Sequence, residues 1–199
     1  MLKPFLIYVF CPLYILCASM CCKEENEPNY DDYTVNVPNT IFVQDDKNVF
    51  TVGDTLWINV QIPNVLKDVE DKELNIYELT LQNTALINLS LFLETDFEQA
   101  ATINISESEI INVTGTMSPN EYDTQIISSE ATLINDFYLA KHGILLKQAG
   151  QFKIKPQFEG KVIYYFYSEY NDDLINYINL ETTFRSSTSD SEYMFEVLK

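Results

Sequence analysis

Cysteine is absent from most of this chain: all four cysteines, Cys11, Cys17, Cys21 and Cys22, lie within the first 22 residues. A disulfide scaffold and a zinc site built on thiolates are therefore excluded from the rest of the sequence. Glycine and proline are also scarce, with 5 and 7 in 199 residues. These counts exclude a collagen-like or low-complexity chain, and the length predicts one domain or two small ones.

Basic residues are few, with 12 Lys and Arg against 30 Asp and Glu and a formal net charge of −18. Such a surface repels nucleic acid, because no basic patch offsets it, so no nucleic-acid partner is expected. The acids can simply keep the domain soluble, or they can bind a divalent cation at Asp45-Asp46, Asp68–Asp71 or Glu169–Asp173. None of these clusters has the calcium-loop spacing with a central glycine. We therefore predict no metal and no cofactor.

Histidine occurs once, at His142. Without a nearby acid and nucleophile, and without a G-x-S-x-G elbow, the sequence offers no nucleophile–base arrangement. His142 stands beside Gly143, which is typical of a turn. We therefore predict no catalytic residue and no enzyme, although thirty acids leave a glycosidase-type pair of carboxylates open.

The first twenty residues have the composition of a secretory signal. Lys3 stands near the start, an apolar run extends from Phe5 to Leu16, and the small residues Ala18 and Ser19 follow. The run is short for a membrane span, which needs about 20 apolar residues, and a proline interrupts it. The alternative, a buried N-terminal core helix, leaves the adjacent cysteines and the abrupt change to acidic residues unexplained.

The junction Ala18-Ser19-Met20-Cys21-Cys22 resembles a bacterial lipoprotein signal, in which small residues precede the cysteine that becomes lipidated. The segment that starts at Cys22 also resembles the Lys-acid-acid export signal of Bacteroidetes surface lipoproteins. The resemblance implies lipidation at Cys22, or alternatively at Cys21, and display on the outer face of the bacterial outer membrane. The export signal would consist of Lys23, Glu24 and Glu25. Several acyl chains hold a protein at a membrane without a spanning segment.

The body of the chain alternates with the period of β-strands. In "TLWINVQIP", Leu56, Ile58, Val60 and Ile62 share one face. Thr55, Asn59 and Gln61 share the other face with Trp57, which is expected either to cap the core or to form an exposed contact. "KVIYYFYSEY" is apolar on both faces, which predicts a central strand. "SEATLINDFYLAKHG" fits a helix or a strand that ends in a turn at His142-Gly143, and we favour the strand. Other strand-like stretches are "ALINLSLFLE", "ATINIS", "QFKIKPQF", "NYINLETTF" and "EYMFEVL".

Eight to ten short strands with few helix signals predict an antiparallel β-sandwich. "GILLKQAGQFKI" resembles the strand-turn-strand of immunoglobulin-like domains, with Phe152 where those domains usually carry tyrosine. We therefore expect an all-β, immunoglobulin-like sandwich over residues 40–199, after a cleaved signal peptide (1–21) and an acidic tether (22–39). "VFTVGDTLWINVQIP" also resembles a segment of uncharacterised flavobacterial lipoproteins.

These observations predict a lipid-anchored cell-surface protein that acts as a binding or structural module for a protein or glycan. Its membrane contact would be the N-terminal lipid. The alternative is an envelope hydrolase or a glycan-processing accessory protein with a cryptic carboxylate site.

Overall fold

A computed structural model of the chain describes residues 29–94, 101–123, 125–156, 162–168, 174–185 and 192–199. The predicted signal peptide, Cys21, Cys22 and the export signal at Lys23, Glu24 and Glu25 lie outside the described residues, as does the acidic cluster at 169–173. The described strands, in chain order, are β1 (Asn29–Asn36), β2 (Ile41–Val43), β3 (Val49–Thr51), β4 (Thr55–Pro63), β5 (Val65–Lys67), β6 (Glu73–Asn75), β7 (Thr84–Leu93), β8 (Ala101–Thr102), β9 (Ile110–Thr114), β10 (Thr116–Pro119), β11 (Ile127–Ile134), β12 (Phe137–Leu145), β13 (Gly150–Pro156), β14 (Val162–Tyr167), β15 (Leu174–Thr182) and β16 (Tyr193–Leu198).

Helical structure is limited to short turns in the described residues. One α-helix, α1 (Ile76–Thr80), and two 3-10 helices, η1 (Gln44–Asp46) and η2 (Glu107–Glu109), connect strands. Among the residues that the structure describes, no helix has the length and apolar character needed to cross a membrane.

The largest sheet has the strand order β2-β4-β12-β11-β7-β13-β16-β3, with β9 paired to β12, β10 to β11 and β8 to β7. Its pairings are antiparallel except for β16 with β3. The two end strands, β2 and β3, are joined by residues 44–48 alone, which can span less than about 20 Å. The sheet must therefore curl until its two edges approach each other.

A smaller sheet, in the order β1-β15-β14, packs against this curled sheet. The ring of Tyr138 on β12 lies 5.2 Å from the ring of Phe166 on β14, between centroids. Both side chains are almost fully buried, so the core lies between the two sheets. A third sheet consists of β5 and β6. The prediction of an all-β antiparallel sandwich is confirmed, with two parallel pairings, β1 with β15 and β16 with β3, as the exceptions.

Strand β4 has the predicted faces. Leu56, Ile58, Val60 and Ile62 are no more than 2 % exposed, while the alternate residues of β4 are half-buried or exposed. Each fully buried aliphatic side chain of this kind contributes about 1.5–3 kcal/mol relative to an exposed one. This strand therefore stabilises the middle of the core.

Strand β1 lies inside the stretch that was predicted to be a tether. The tether prediction is wrong for Asn29–Asn36, because these residues pair in parallel with β15. Val35 is buried in the core, and Asp32 accepts a hydrogen bond of 2.7 Å from the side-chain amide of Asn179. An acidic strand at the edge of a sheet is a common device against edge-to-edge aggregation. The folded domain thus begins before residue 40.

The ambiguous stretch around residue 135 is a β-hairpin. Strands β11 and β12 pair across Asn135 and Asp136, which both have positive φ, as a tight two-residue hairpin turn requires. The strand interpretation is confirmed and the helix is excluded. The predicted turn at His142-Gly143 is wrong, because both residues lie within β12 and pair with β4.

Two further predictions are corrected by the pairing of the strands. Strand β14, predicted to be central, pairs with β15 alone among the described residues and forms an edge of the small sheet. In "ATINIS" only Ala101–Thr102 form a strand, although Ile105 is buried. The strand-turn-strand in "GILLKQAGQFKI" is present as the end of β12, a connecting loop and β13.

Candidate binding face

The outward side of strands β2, β4, β12 and β9 forms one continuous surface. Cross-strand pairing places Trp57 opposite Gly143, and Gly143 opposite Ile111. Asn59 lies opposite both Phe42 and Lys141. We call this surface the outer face, and its residues are Phe42, Thr55, Trp57, Asn59, Gln61, Ile111, Val113, Thr114, Leu139, Lys141 and Gly143.

None of the residues of the outer face is acidic, although the chain has a formal net charge of −18. Ile111 and Val113 are 43 % and 58 % exposed. Depletion of charge with exposed aromatic and aliphatic side chains is typical of the centre of a binding surface. The outer face therefore differs in charge from the chain as a whole.

The indole of Trp57 packs against the backbone of Gly143. A Cβ atom at residue 143 would lie 2.9 Å from Cζ3 of Trp57 and 2.6 Å from Cγ2 of Thr55. Only glycine leaves room for the indole at this point of β12. The ammonium of Lys141 lies 5.3 Å from the centroid of the Trp57 ring, within the range of a cation–π contact. Trp57, which the sequence left as either a core cap or an exposed contact, is a half-buried part of the outer face.

Four polar side chains surround a shallow depression of about 190 Å³ on the outer face, together with Phe42 and Leu139: Asn59, Gln61, Thr114 and Lys141. None of these four has a hydrogen-bond or ion-pair partner in the described part of the chain. Five of the eight other cations in the described residues pair with a carboxylate, namely Lys47, Lys147, Lys153, Lys155 and Arg185. Lys141 has no ion-pair partner in this part of the chain, as is also true of Lys67, Lys72 and Lys199.

A β-bulge shapes the edge of this face. The pairing of β9 with β12 shifts between Lys141 and His142, so that Val113 is the extra residue on β9. A bulge redirects side chains locally. Here Thr114 lies opposite Lys141, and Asn112 lies opposite His142.

His142 lies beneath the outer face and is fully buried. Its Nδ1 contacts Asn112, while its Nε2 has no hydrogen-bond partner among the residues that the structure describes. Burial lowers the pKa of His142 to about 4, because the charged imidazolium loses its hydration. His142 is neutral near pH 7 and contributes to the core of the sheet.

The acidic clusters have structural roles where they are described. The carboxylate of Asp68 accepts hydrogen bonds from the backbone N–H groups of Glu70 and Lys72, at 2.8 and 2.9 Å, and so closes a turn. Asp46 pairs with Arg185 at 3.4 Å. Among the described residues, no three His, Cys, Asp or Glu side chains are grouped as a metal site requires.

A second cavity, of about 270 Å³, lies between β7, β12 and β13, with Leu91, Ile144 and Phe152 in its wall. Lys147 and Glu109 form an ion pair of 3.0 Å at its rim. Burial alone would raise the pKa of Glu109, but hydrogen bonds from Ser106 and Lys147 hold it below its ordinary value. Because these charges satisfy each other, this cavity offers fewer available polar groups than the outer face.

Sequence reasoning found Trp57 and the polar alternation at Asn59 and Gln61 but missed Lys141 and Ile111. Those residues join the site only through pairing across strands. No local pattern around Lys141 predicts which residues lie beside it.

Comparison with known proteins adds little to this geometry. No protein-family model matches the chain, and no curated protein matches it. Among solved structures, the chain is similar to the seventh ScaB type I cohesin from Pseudobacteroides cellulosolvens. The identity is 12 % and the TM-score 0.34, over 82 % of this chain and 92 % of that one. A likeness this weak carries no conclusion about function.

Proposed function

We propose that this protein is a lipid-anchored cell-surface binding module, rather than an enzyme, and that its ligand binds to the outer face. One observation carries the proposal: an acid-free surface with a half-buried tryptophan and four unpartnered polar side chains on a strongly acidic domain. Elsewhere, five of the eight described cations are paired with carboxylates. A surface that has unpaired polar side chains and no acidic residues is suited to binding.

The anchor part of the proposal rests on the sequence around Cys22. The small residues before it and the segment Lys23-Glu24-Glu25 after it support lipidation and export to the outer face of the outer membrane. Strand β1 begins at Asn29, so the tether would be shorter than the sequence predicted. The folded domain would then be held close to the membrane.

Chemical labelling of lysines tests binding at the outer face. Intact cells of the native host and the purified protein are treated with a membrane-impermeant amine reagent, and modification is quantified by mass spectrometry. We expect Lys141 to be protected in cells relative to the purified protein. Lys67 and Lys199, which are exposed away from the outer face, are matched controls and should label equally. Equal labelling of Lys141 in both samples would contradict occupation of the face.

Metabolic labelling tests the anchor. Cys22→Ala should abolish palmitate incorporation and release the protein from the membrane fraction, whereas Cys21→Ala should not. The reverse pattern would assign the lipid to Cys21. Replacing Lys23, Glu24 and Glu25 together by alanine should preserve palmitate labelling and reduce accessibility to protease added to intact cells. Unchanged accessibility would show that these residues are not an export signal.

A further inference from the structure

The depression on the outer face has the size of a small ring. Its volume of about 190 Å³ equals the space taken by about six water molecules, which suits one pyranose ring. Phe42 and Leu139 supply apolar surface in its lining. An apolar lining with a few polar groups at fixed positions is the usual composition of a small-ligand site.

Neutral hydrogen-bonding groups predominate in the lining. Asn59 and Gln61 each offer an amide with two donors and an acceptor, and Thr114 offers a hydroxyl. None of the three has a side-chain partner within the described part of the chain. A lining with three neutral polar side chains and one cation suits a ligand that carries many hydroxyl groups and few charges. A polyphosphate or a densely acidic peptide would be matched by several cations.

The charge of the depression is set by Lys141. Arg185, the neighbouring cation over the ring of Phe42, is already paired with Asp46 at 3.4 Å. Lys141 has no carboxylate partner in the residues that the structure describes. On a chain with 30 acidic residues, an unpaired ammonium beside an acid-free surface attracts a carboxylate from outside.

From this geometry we infer that the depression binds a uronic-acid residue of an acidic glycan. The inference rests on the proposed function and names its ligand class. The hydroxyl groups of the sugar bind Asn59, Gln61 and Thr114, and its carboxylate binds Lys141. Trp57 lies against Gly143 on the same face, within cation–π distance of Lys141, so its fluorescence reports on a change at the site.

Titration followed by the fluorescence of Trp57, the chain's one tryptophan, tests the inference, with calorimetry as an independent readout. The probes are oligogalacturonate, a cello-oligosaccharide of equal length and poly-glutamate, added to the purified protein. Oligogalacturonate should bind saturably and more weakly as salt increases. The neutral sugar should bind roughly two- to fivefold more weakly, which is the effect expected of one solvent-exposed ion pair.

Variants distinguish the site from a general charge effect. Lys141→Gln should reduce the affinity for oligogalacturonate to that for the neutral sugar, and Gln61→Ala should weaken both sugars. Lys153→Gln, on β13 and paired with Glu94, is the matched control and should bind as the native protein does. Circular dichroism verifies that each variant is folded.

Three results would overturn the inference: no binding of either sugar, equal binding of both, or tighter binding of poly-glutamate. The last would assign the face to an acidic peptide. Failure of all three probes, combined with protection of Lys141 in cells, would overturn the acidic-glycan assignment and leave the outer face as the binding surface. Absence of that protection would count against the proposed function itself.

Discussion

The side-chain oxygen of Asn112 lies 2.9 Å from Nδ1 of His142 and joins strand β9 to strand β12. The same oxygen accepts a hydrogen bond of 2.8 Å from the backbone N–H of Met117, and the Asn112 amide nitrogen donates to the Met117 carbonyl at 3.1 Å. Because Met117 fixes which amide atom faces His142, the proton of the imidazole lies on Nδ1. One asparagine thus links β9, β10 and β12 behind the outer face.

We expect Asn112→Ala to destabilise the domain. The substitution leaves the N–H of Met117 and the imidazole N–H of His142 without acceptors, and each buried unsatisfied group costs about 1–3 kcal/mol. Urea unfolding should show a loss of at least about 2 kcal/mol. Gln61→Ala removes a side chain that has no hydrogen-bond partner in the described part of the chain, and it should change stability by less than about 0.5 kcal/mol. Equal midpoints for the two variants would show that Asn112 does not join the strands.

The pKa of His142 predicts a specific pH dependence of stability. Its value falls from 6.5 in the unfolded chain to about 4 in the folded protein, so between these pH values the unfolded state binds the extra proton. Stability should therefore rise by about 3 kcal/mol from pH 4 to pH 6.5 because of this group, and this contribution should be constant at higher pH.

Removal of the imidazole isolates that contribution. His142 is the chain's one histidine, so His142→Gln should flatten the rise between pH 5 and pH 6.5, a window in which few unperturbed side chains titrate. Chemical denaturation at each pH measures the difference between the two proteins. If both have the same slope in that window, His142 is not held neutral by burial.

The assignment of faces on β4 predicts opposite effects for two neighbours. Ile58→Ala should cost about 2–5 kcal/mol, because it opens a cavity in the core. Asn59→Ala should cost little, because its side chain lies on the outer face and has no partner in the described residues. Urea midpoints of the two variants provide the measurement. Comparable midpoints would mean that the two faces are assigned incorrectly.

Gly143→Ala should displace the indole of Trp57. The added methyl group would meet Cζ3 of Trp57 at 2.9 Å and Cγ2 of Thr55 at 2.6 Å, so one of these side chains must move. A shift of the tryptophan emission maximum is the expected signal. Gly53→Ala is the control, since its backbone φ of +95° makes alanine strained but no atom of the described residues lies within 4 Å of the new group. It should lower stability without moving the emission, and an equal shift in both variants would refute the contact.

Much of the fold could be predicted because alternation along one strand reports on one buried face. β4, β7 and β16 were recognised in this way. β1 was missed because its charged residues conceal an edge strand that is completed by parallel pairing with β15, over 130 residues away in sequence. Asn135 and Asp136 are a local signal for a hairpin turn. Because of Gly143, however, the turn was predicted at residues 142–143. In fact Gly143 is required by the packing of Trp57.

The outer face could not be predicted as a site because pairing between distant strands creates it. Alternation identified Asn59 and Gln61 as polar neighbours of Trp57. Only the register of β4, β12 and β9 places Lys141 and Thr114 beside them. The composition shows an excess of acidic residues, but it does not show which part of the surface lacks them.

Photo-cross-linking on intact cells of the native host tests most directly whether the outer face binds a ligand. A benzoylphenylalanine residue replaces Val113, which is 58 % exposed on the outer face next to Thr114, in one variant and Tyr122, which is 95 % exposed elsewhere, in a matched control. We predict a discrete cross-linked product of increased mass from position 113, lost when Lys141→Gln is added, and none from position 122. No product from position 113, or the same product from both positions, would contradict the account.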